Sequence, residues 1–253
     1  MRFQPESGGA RIPMISNEVE FEPYRLRFAQ YGRVQVPGFL QAAAAERLHL
    51  CLRDEVPWTL AERSDGVART LPAAEYAALS EAQRNAIYQR AYQGARDGFQ
   101  FVYDSYMLVR ALQEGRDPGL VLHLVLEFMN SAEVIEFARW FTGIPDIVAA
   151  NAQATRYLPG QFLTHHDDED RKENRGVAYV INLSKGWHPD WGGLLQFHDA
   201  KGGVAETLMP LWNSVSMFKI PQSHSVSLVA PWAAQPRLAI TGWFLRAKEG
   251  ASV

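Results

Sequence analysis

Four side chains in the second half of this 253-residue chain are of types that can do chemistry together. His166 and Asp168 lie one residue apart in Tyr157-Leu-Pro-Gly-Gln-Phe-Leu-Thr-His-His-Asp-Asp168, His224 follows in Ile220-Pro-Gln-Ser-His224, and Arg237 opens Arg237-Leu-Ala-Ile-Thr-Gly-Trp243. Two neutral imidazoles and one ionised carboxylate can hold one face of an octahedral Fe(II) ion, leaving the opposite face for oxygen and a second ligand. A His-x-Asp pair alone is weak, and a polar turn is the plain alternative. Position strengthens it: the pair ends a run of β-formers, where residues two apart face the same side. The doubled His165-His166-Asp167-Asp168 leaves two registers open, because His165 with Asp167 has the same spacing and periodicity does not choose between them.

The elements that must position these groups change character near residue 147. Before it the pattern is mainly helical: a short helix over Glu22 to Tyr31, a strand within Gly32 to Leu40 that ends at Pro37 and Gly38, and an Ala- and Leu-rich helix over Gln41 to Asp54. A strand pair with an Asp65-Gly66 turn follows over Trp58 to Leu71, then one long helix over Glu75 to Arg96. The aromatic stretch Phe99 to Tyr106 reads as a strand or a lid, and two helices follow over Pro118 to Met129 and Ala132 to Phe141. Asn130 is the expected cap of the second, with Glu133 three residues on. From Ile147 short β-runs alternate with Gly, Pro, Asn and Asp: Val148 to Tyr157, Gly176 to Leu183, Leu194 to His198, Glu206 to Leu208, Ser214 to Lys219, Ser225 to Val229 and Leu238 to Arg246. Such a series predicts an antiparallel sandwich or barrel with a mouth able to hold a ligand.

With 47% hydrophobic and 21% charged residues the chain has enough apolar material for one substantial core and shows no compositional break between two. A net charge of -3 without a Lys/Arg stripe argues against nucleic acid as a partner. Cys51 is the only cysteine, so an intrachain disulfide and a cysteine-built zinc site are excluded, and its Leu-flanked setting reads as an inert core thiol. The amino terminus lacks the apolar stretch of a signal peptide, and Gly119 to Met129 is too short and too polar to span a bilayer. These readings predict a cytoplasmic protein with no membrane partner.

The run from Ala150 to Arg246 resembles the prolyl-4-hydroxylase-like branch of the Fe(II)/2-oxoglutarate dioxygenases. The resemblance rests on Tyr157 and Gly160 before Phe162-Leu163, the His-x-Asp, Trp191-Gly192-Gly193, and then His224, Arg237 and Gly242-Trp243. In that pattern the metal histidine falls six residues after the glycine, which selects His166 and Asp168. The implied fold is α+β: a double-stranded β-helix (jelly-roll, cupin-like) barrel over residues 150-246, supported by a mainly helical region over 1-149, in a single oxygenase domain spanning 1-253.

The resemblance implies that His166, Asp168 and His224 bind Fe(II) and that Arg237 forms a bidentate pair with the distal carboxylate of 2-oxoglutarate. It also implies cosubstrate contacts from Tyr157 and Asn182, the latter standing where relatives carry a tyrosine. Thr241, four residues from Arg237 on the same strand face, could add a hydroxyl contact and Trp243 could wall the site, with ordinary barrel packing the alternative for both. O2 is the second cosubstrate, with ascorbate as a supporting reductant, and Asp168 fills the position that related halogenases leave free for chloride. The implied reaction is hydroxylation of a C–H bond with oxidative decarboxylation of 2-oxoglutarate to succinate and CO2.

A prolyl residue in a protein or peptide is the implied substrate, and Phe99 to Tyr106 with Arg110 is a candidate binding face. Alternatives are a hydroxylase of a free amino acid or other small molecule, a non-catalytic cupin-like protein that binds metal or 2-oxoglutarate, and a zinc hydrolase built on the same histidines. Trp191-Gly192-Gly193 reads as a structural turn, His188 and His198 as rim residues, and Asp167 to Arg175 as a solvated loop beside the metal.

Overall fold

The computed structural model describes residues 14–64, 66–170 and 172–248. Its helices are α1 (Glu22–Tyr31), α2 (Ala42–Asp54), α3 (Ala73–Ala78), α4 (Glu81–Gly94), α5 (Leu108–Gln113), α6 (Leu122–Met129) and α7 (Ala132–Thr142). Its strands are β1 (Arg33–Pro37), β2 (Thr59–Ser64), β3 (Val67–Pro72), β4 (Phe101–Met107), β5 (Ile147–Ala150), β6 (Gln153–Tyr157), β7 (Phe162–His166), β8 (Arg175–Asn182), β9 (Leu195–His198), β10 (Val204–Leu208), β11 (Ser214–Lys219), β12 (His224–Val226) and β13 (Arg237–Arg246).

Thirteen strands pair in the order β1-β11-β8-β13-β6-β4-β7-β12-β9-β10, with β2, β3 and β5 attached beside that path. Neighbouring strands are antiparallel throughout, and the sheet curls into a nearly closed jelly-roll barrel with helices on one side. Side chains bridge the gap between the end strands. Glu206 of β10 accepts from Arg27 of α1 at 2.8 Å and from Arg33 of β1 at 2.5 Å, and Gln35 donates to the Met209 carbonyl.

Alternation on the central strands separates two interiors. On β8, Val177, Tyr179 and Ile181 join the core under the helices, while Ala178 and Val180 face the barrel lumen. On β13, Leu238, Ile240 and Phe244 go to the helical side, and Arg237, Thr241 and Trp243 line the lumen cavity. Gly242 falls on the helical side, where a Cβ would stand 2.1 Å from the Asn151 carbonyl oxygen and 2.6 Å from the Tyr179 hydroxyl, so only glycine fits. One continuous apolar core then joins α1, α2, α6 and α7 to the outer face of the sheet, with Cys51 fully buried in it.

Local chemistry explains where the elements depart from expectation. The long helix expected over Glu75 to Arg96 is two helices. Ser80 accepts from the Gln83 amide while the Gln83 side chain accepts from the Ser80 amide, a capping box that starts α4 afresh. Ser131 caps α7, not Asn130: its hydroxyl takes the Val134 amide. Asn130 instead uses its side chain to grip both backbone groups of Ala150. The run expected over Val148 to Tyr157 is split, with β5 on the far end of β13 and β6 on its near end. Phe99 to Tyr106 contributes β4, an interior strand between β6 and β7. The β2–β3 hairpin forms as expected, although Asp65 of its turn lies outside the described residues, as does the amino-terminal stretch. No helix among the described residues is long and apolar enough to cross a membrane.

Candidate metal centre

A bulge decides which histidine enters the lumen. Val226 of β12 pairs with Leu163 and His224 pairs with His166, so β7 spends three steps where β12 spends two. Leu163 lines the cavity, and strict alternation from it would turn His165 inward. The extra residue reverses the parity. His166 therefore faces the cavity, and His165 faces out, where its ring packs against His198 and its Nε2 meets Ser223 Oγ at 2.5 Å. Thr164, inside the bulge, is tied to Gln100 through both its amide and its hydroxyl.

His166, Asp168 and His224 each offer one ligand atom, and these atoms lie within 4.8 Å of one another. His166 Nε2 stands 3.3 Å from Asp168 Oδ1, and His224 Nε2 stands 3.5 Å from Asp168 Oδ2. Each imidazole gives its Nδ1–H to a carbonyl two residues back: His166 to Thr164 at 2.9 Å and His224 to Gln222 at 2.7 Å. Those bonds fix the tautomer and leave both Nε2 lone pairs toward a shared point. Burial opposes the Asp168 charge, but the adjacent His166 and His224 rings outweigh it and hold the carboxyl well below the usual range. The donor set of two imidazoles and one carboxylate fits Fe(II).

The cavity that the triad lines encloses about 160 Å³. Gln153, Thr155 and Tyr157 of β6, Phe101 and Tyr103 of β4, and Arg237, Thr241 and Trp243 of β13 contribute to its lining. Tyr103 stacks on Tyr157 at 5.0 Å, and burial, then the Asp168 charge, pushes its hydroxyl up to about 12. Arg237 is only 2% exposed, and among the described residues no ion pair or side-chain hydrogen bond satisfies it; its Nε is an orphan. Burial lowers its pKa, and the one compensating contact is the Tyr157 ring at 5.1 Å. Thr241 Oγ1, four residues along the same face, is likewise buried without a partner. A buried cation and an orphan hydroxyl on the wall of one cavity are groups that a bound anion could satisfy, because desolvated polar groups are costly until they are paired.

The structure thus gathers His166, Asp168, His224, Tyr157, Arg237, Thr241 and Trp243 around one cavity, and it leaves Asn182 outside. Asn182 is fully interior, but its amide is spent on the hydroxyls of Ser214 and Ser216. Arg110 is also absent from the site: β4 ends at Met107, and Arg110 sits on α5, exposed and paired with Glu114. His198 bonds Ser225 on the outer face, and His188 caps an exposed 3-10 turn. Gly192, in a left-handed conformation, brings its backbone against Leu228, as a structural turn requires. Sequence reading passed over Gln153 and Thr155. Their two-residue spacing from Tyr157 was the available signal.

Residues 152–245 match the model of the 2OG-Fe(II) oxygenase superfamily, and the sequence and fold comparisons that follow point to prolyl hydroxylases. The family takes Fe(II), 2-oxoglutarate and O2, and the donor set described above fits the metal. Prolyl 3-hydroxylase OGFOD1 of Mus musculus is 30% identical over 119 residues, a match that takes in 43% of this chain and only 21% of that protein. A prolyl-4-hydroxylase of Pseudomonas putida superposes with a TM-score of 0.55 at 20% identity, covering 90% of this chain and 100% of that one. A prolyl hydroxylase in complex with a hypoxia inducible factor peptide fragment, from Trichoplax adhaerens, superposes with a TM-score of 0.58 at 15% identity over 88% of this chain and 87% of that one.

Proposed function

We propose that this chain is an Fe(II)- and 2-oxoglutarate-dependent dioxygenase that hydroxylates a prolyl residue in a protein or peptide. The observation that carries the reading is Arg237, a buried guanidinium without a counter-ion among the described residues, in the same cavity as the three metal-ligand side chains. His166, Asp168 and His224 hold the metal, and Arg237 receives the distal carboxylate of 2-oxoglutarate through its planar fork. Thr241 adds its hydroxyl to that carboxylate, and Tyr157 supports the guanidinium from below through its ring. The core shared between helices and barrel, from Ile15 to Phe244, supports reading the chain as a single oxygenase domain.

Fe(II) bound by the triad supplies, with O2 and 2-oxoglutarate, the oxidising power for C–H hydroxylation. One oxygen atom goes to the substrate as a hydroxyl and the other to succinate, with loss of CO2. The chain's own task is to orient the ligands and exclude water. Tyr103, Tyr157, Leu163, Val180 and Phe218 make the lumen largely apolar, which strengthens each charge inside it. At the mouth Phe99 packs on Phe101 and on His166, and with Trp243 it offers aromatic faces suited to a pyrrolidine ring. The names of the matched relatives support a prolyl substrate over a free amino acid.

Purified protein with Fe(II), ascorbate and O2 is expected to convert 2-oxoglutarate to succinate, and His166→Ala or Asp168→Ala to abolish it. Mass spectrometry of cellular proteins should then show one added oxygen on proline only when active protein is present. Undiminished turnover in both variants would overturn the metal assignment, and oxygen found only on small molecules would overturn the prolyl one.

A further inference from the structure

Asp168 is gripped at two points by groups outside the metal triad. Its Oδ2 accepts the indole N–H of Trp243 at 2.9 Å, and its backbone carbonyl accepts from Arg175 Nη1 at 3.4 Å. The two gripping groups touch each other: the Arg175 guanidinium lies 3.8 Å from the centre of the Trp243 ring. Arg175 is in turn anchored by Glu173 at 2.8 Å and by Asp170 at 3.8 Å.

These contacts matter because Asp168 is held in a costly conformation. Its φ is +62°, in the left-handed region that a non-glycine residue enters at a cost of about 1 kcal/mol or more. It lies two residues past the end of β7, where the chain leaves the barrel, outside the strand ladder. Its carboxylate also has two chemically equal oxygens. The indole N–H distinguishes them by taking Oδ2, which leaves Oδ1, on the His166 side, as the oxygen without that bond.

We infer that Trp243 is a positioning residue for the metal site: its indole N–H fixes the rotamer of Asp168 and selects Oδ1 as the metal-binding oxygen, while Arg175 stacked on the ring holds the backbone of Asp168 in place. The inference rests on the proposed iron site and deepens it. Partners that orient a ligating carboxylate typically change metal affinity by roughly 10- to 100-fold when removed. An indole that serves only as a wall would make its N–H dispensable.

The test is metal binding without turnover. Co(II) is titrated into metal-free protein by calorimetry, and its visible ligand-field spectrum is recorded for the wild type, for Trp243→Phe and for protein carrying 3-benzothienylalanine at position 243. The benzothienyl ring keeps the size and shape of indole and lacks the N–H, so it answers the question even where phenylalanine leaves a gap that unfolds the chain. Both replacements are expected to weaken Co(II) by about tenfold or more and to alter the spectrum, with circular dichroism unchanged for the benzothienyl protein. Wild-type affinity and spectrum in the benzothienyl protein would overturn this role for Trp243 and leave the iron site standing. Absence of Co(II) uptake by the wild type would instead overturn the iron site itself.

Discussion

Arg237 and Tyr157 are direct partners across β13 and β6, and the guanidinium lies 5.1 Å from the centre of the phenol ring. The pair keeps a cation inside the barrel by offering it a π face instead of a carboxylate, so its full complement of hydrogen bonds waits for a ligand. Arg237→Gln is expected to weaken 2-oxoglutarate by roughly 10- to 100-fold, the usual worth of hydrogen bonds to a charged group. Ligand-free Arg237→Met should melt higher than the wild type, by on the order of 1 kcal/mol, because it removes an unpaired buried charge. Differential scanning calorimetry with and without 2-oxoglutarate checks both, and a lower melting point for the methionine variant would contradict the reading of Arg237 as an unpaired buried charge.

The bulge in β7 predicts opposite fates for adjacent histidines. His166→Ala should abolish high-affinity Fe(II) or Co(II) binding, whereas His165→Ala should leave it within about twofold and cost less than about 1 kcal/mol, the worth of one exposed hydrogen bond to Ser223. Calorimetric metal titration of both proteins distinguishes them.

Asn182 separates a structural amide from a ligand contact. Asn182→Ala removes hydrogen bonds to Ser214 and Ser216 in a buried setting and should lower stability by about 1–3 kcal/mol. Its KM for 2-oxoglutarate should stay within about twofold of the wild type at a temperature where both are folded. Urea melts and initial-rate kinetics report the two effects separately.

Glu206 gives a pH dependence of defined sign. Burial works against its charge, but hydrogen bonds from Arg33 and Arg27 outweigh it and hold the carboxyl below the ordinary glutamate value. A carboxyl depressed in the folded state stabilises above its unfolded pKa of about 4.3, and that contribution fades as pH falls through the folded value. Glu206→Gln should therefore be about 1–2 kcal/mol less stable at neutral pH. The gap should narrow as pH drops below about 4.3, as acid-range urea melts would show.

Much of this architecture is legible in the sequence because it follows from local rules. The Ala- and Leu-rich run gives α2, the alternation of Leu238 to Arg246 gives the two faces of β13, and the spacing of Arg237, Thr241 and Trp243 puts all three on one of them. Contacts between distant residues are less legible. The amide of Asn182 is claimed by Ser214 and Ser216 from a neighbouring strand, and no local pattern announces that pairing. The Trp243 indole reaches Asp168 across 75 residues. The break at Ser80 was readable from Ser80-x-x-Gln83, but the helix-forming residues on both sides masked it.

The doubled His165-His166-Asp167-Asp168 can present either of two equivalent pairs, and the extra residue between Leu163 and His166 is what chooses. Backbone parity thus acts as a selector switch on a redundant sequence. An insertion or deletion of one residue in β7 would exchange which histidine meets the cavity without changing a single ligand type. The segment most exposed to such an accident therefore carries a spare His-x-Asp in the adjacent register, and a library of one-residue insertions and deletions across residues 163–165, screened for retained metal binding, would reveal how much of the site survives the exchange.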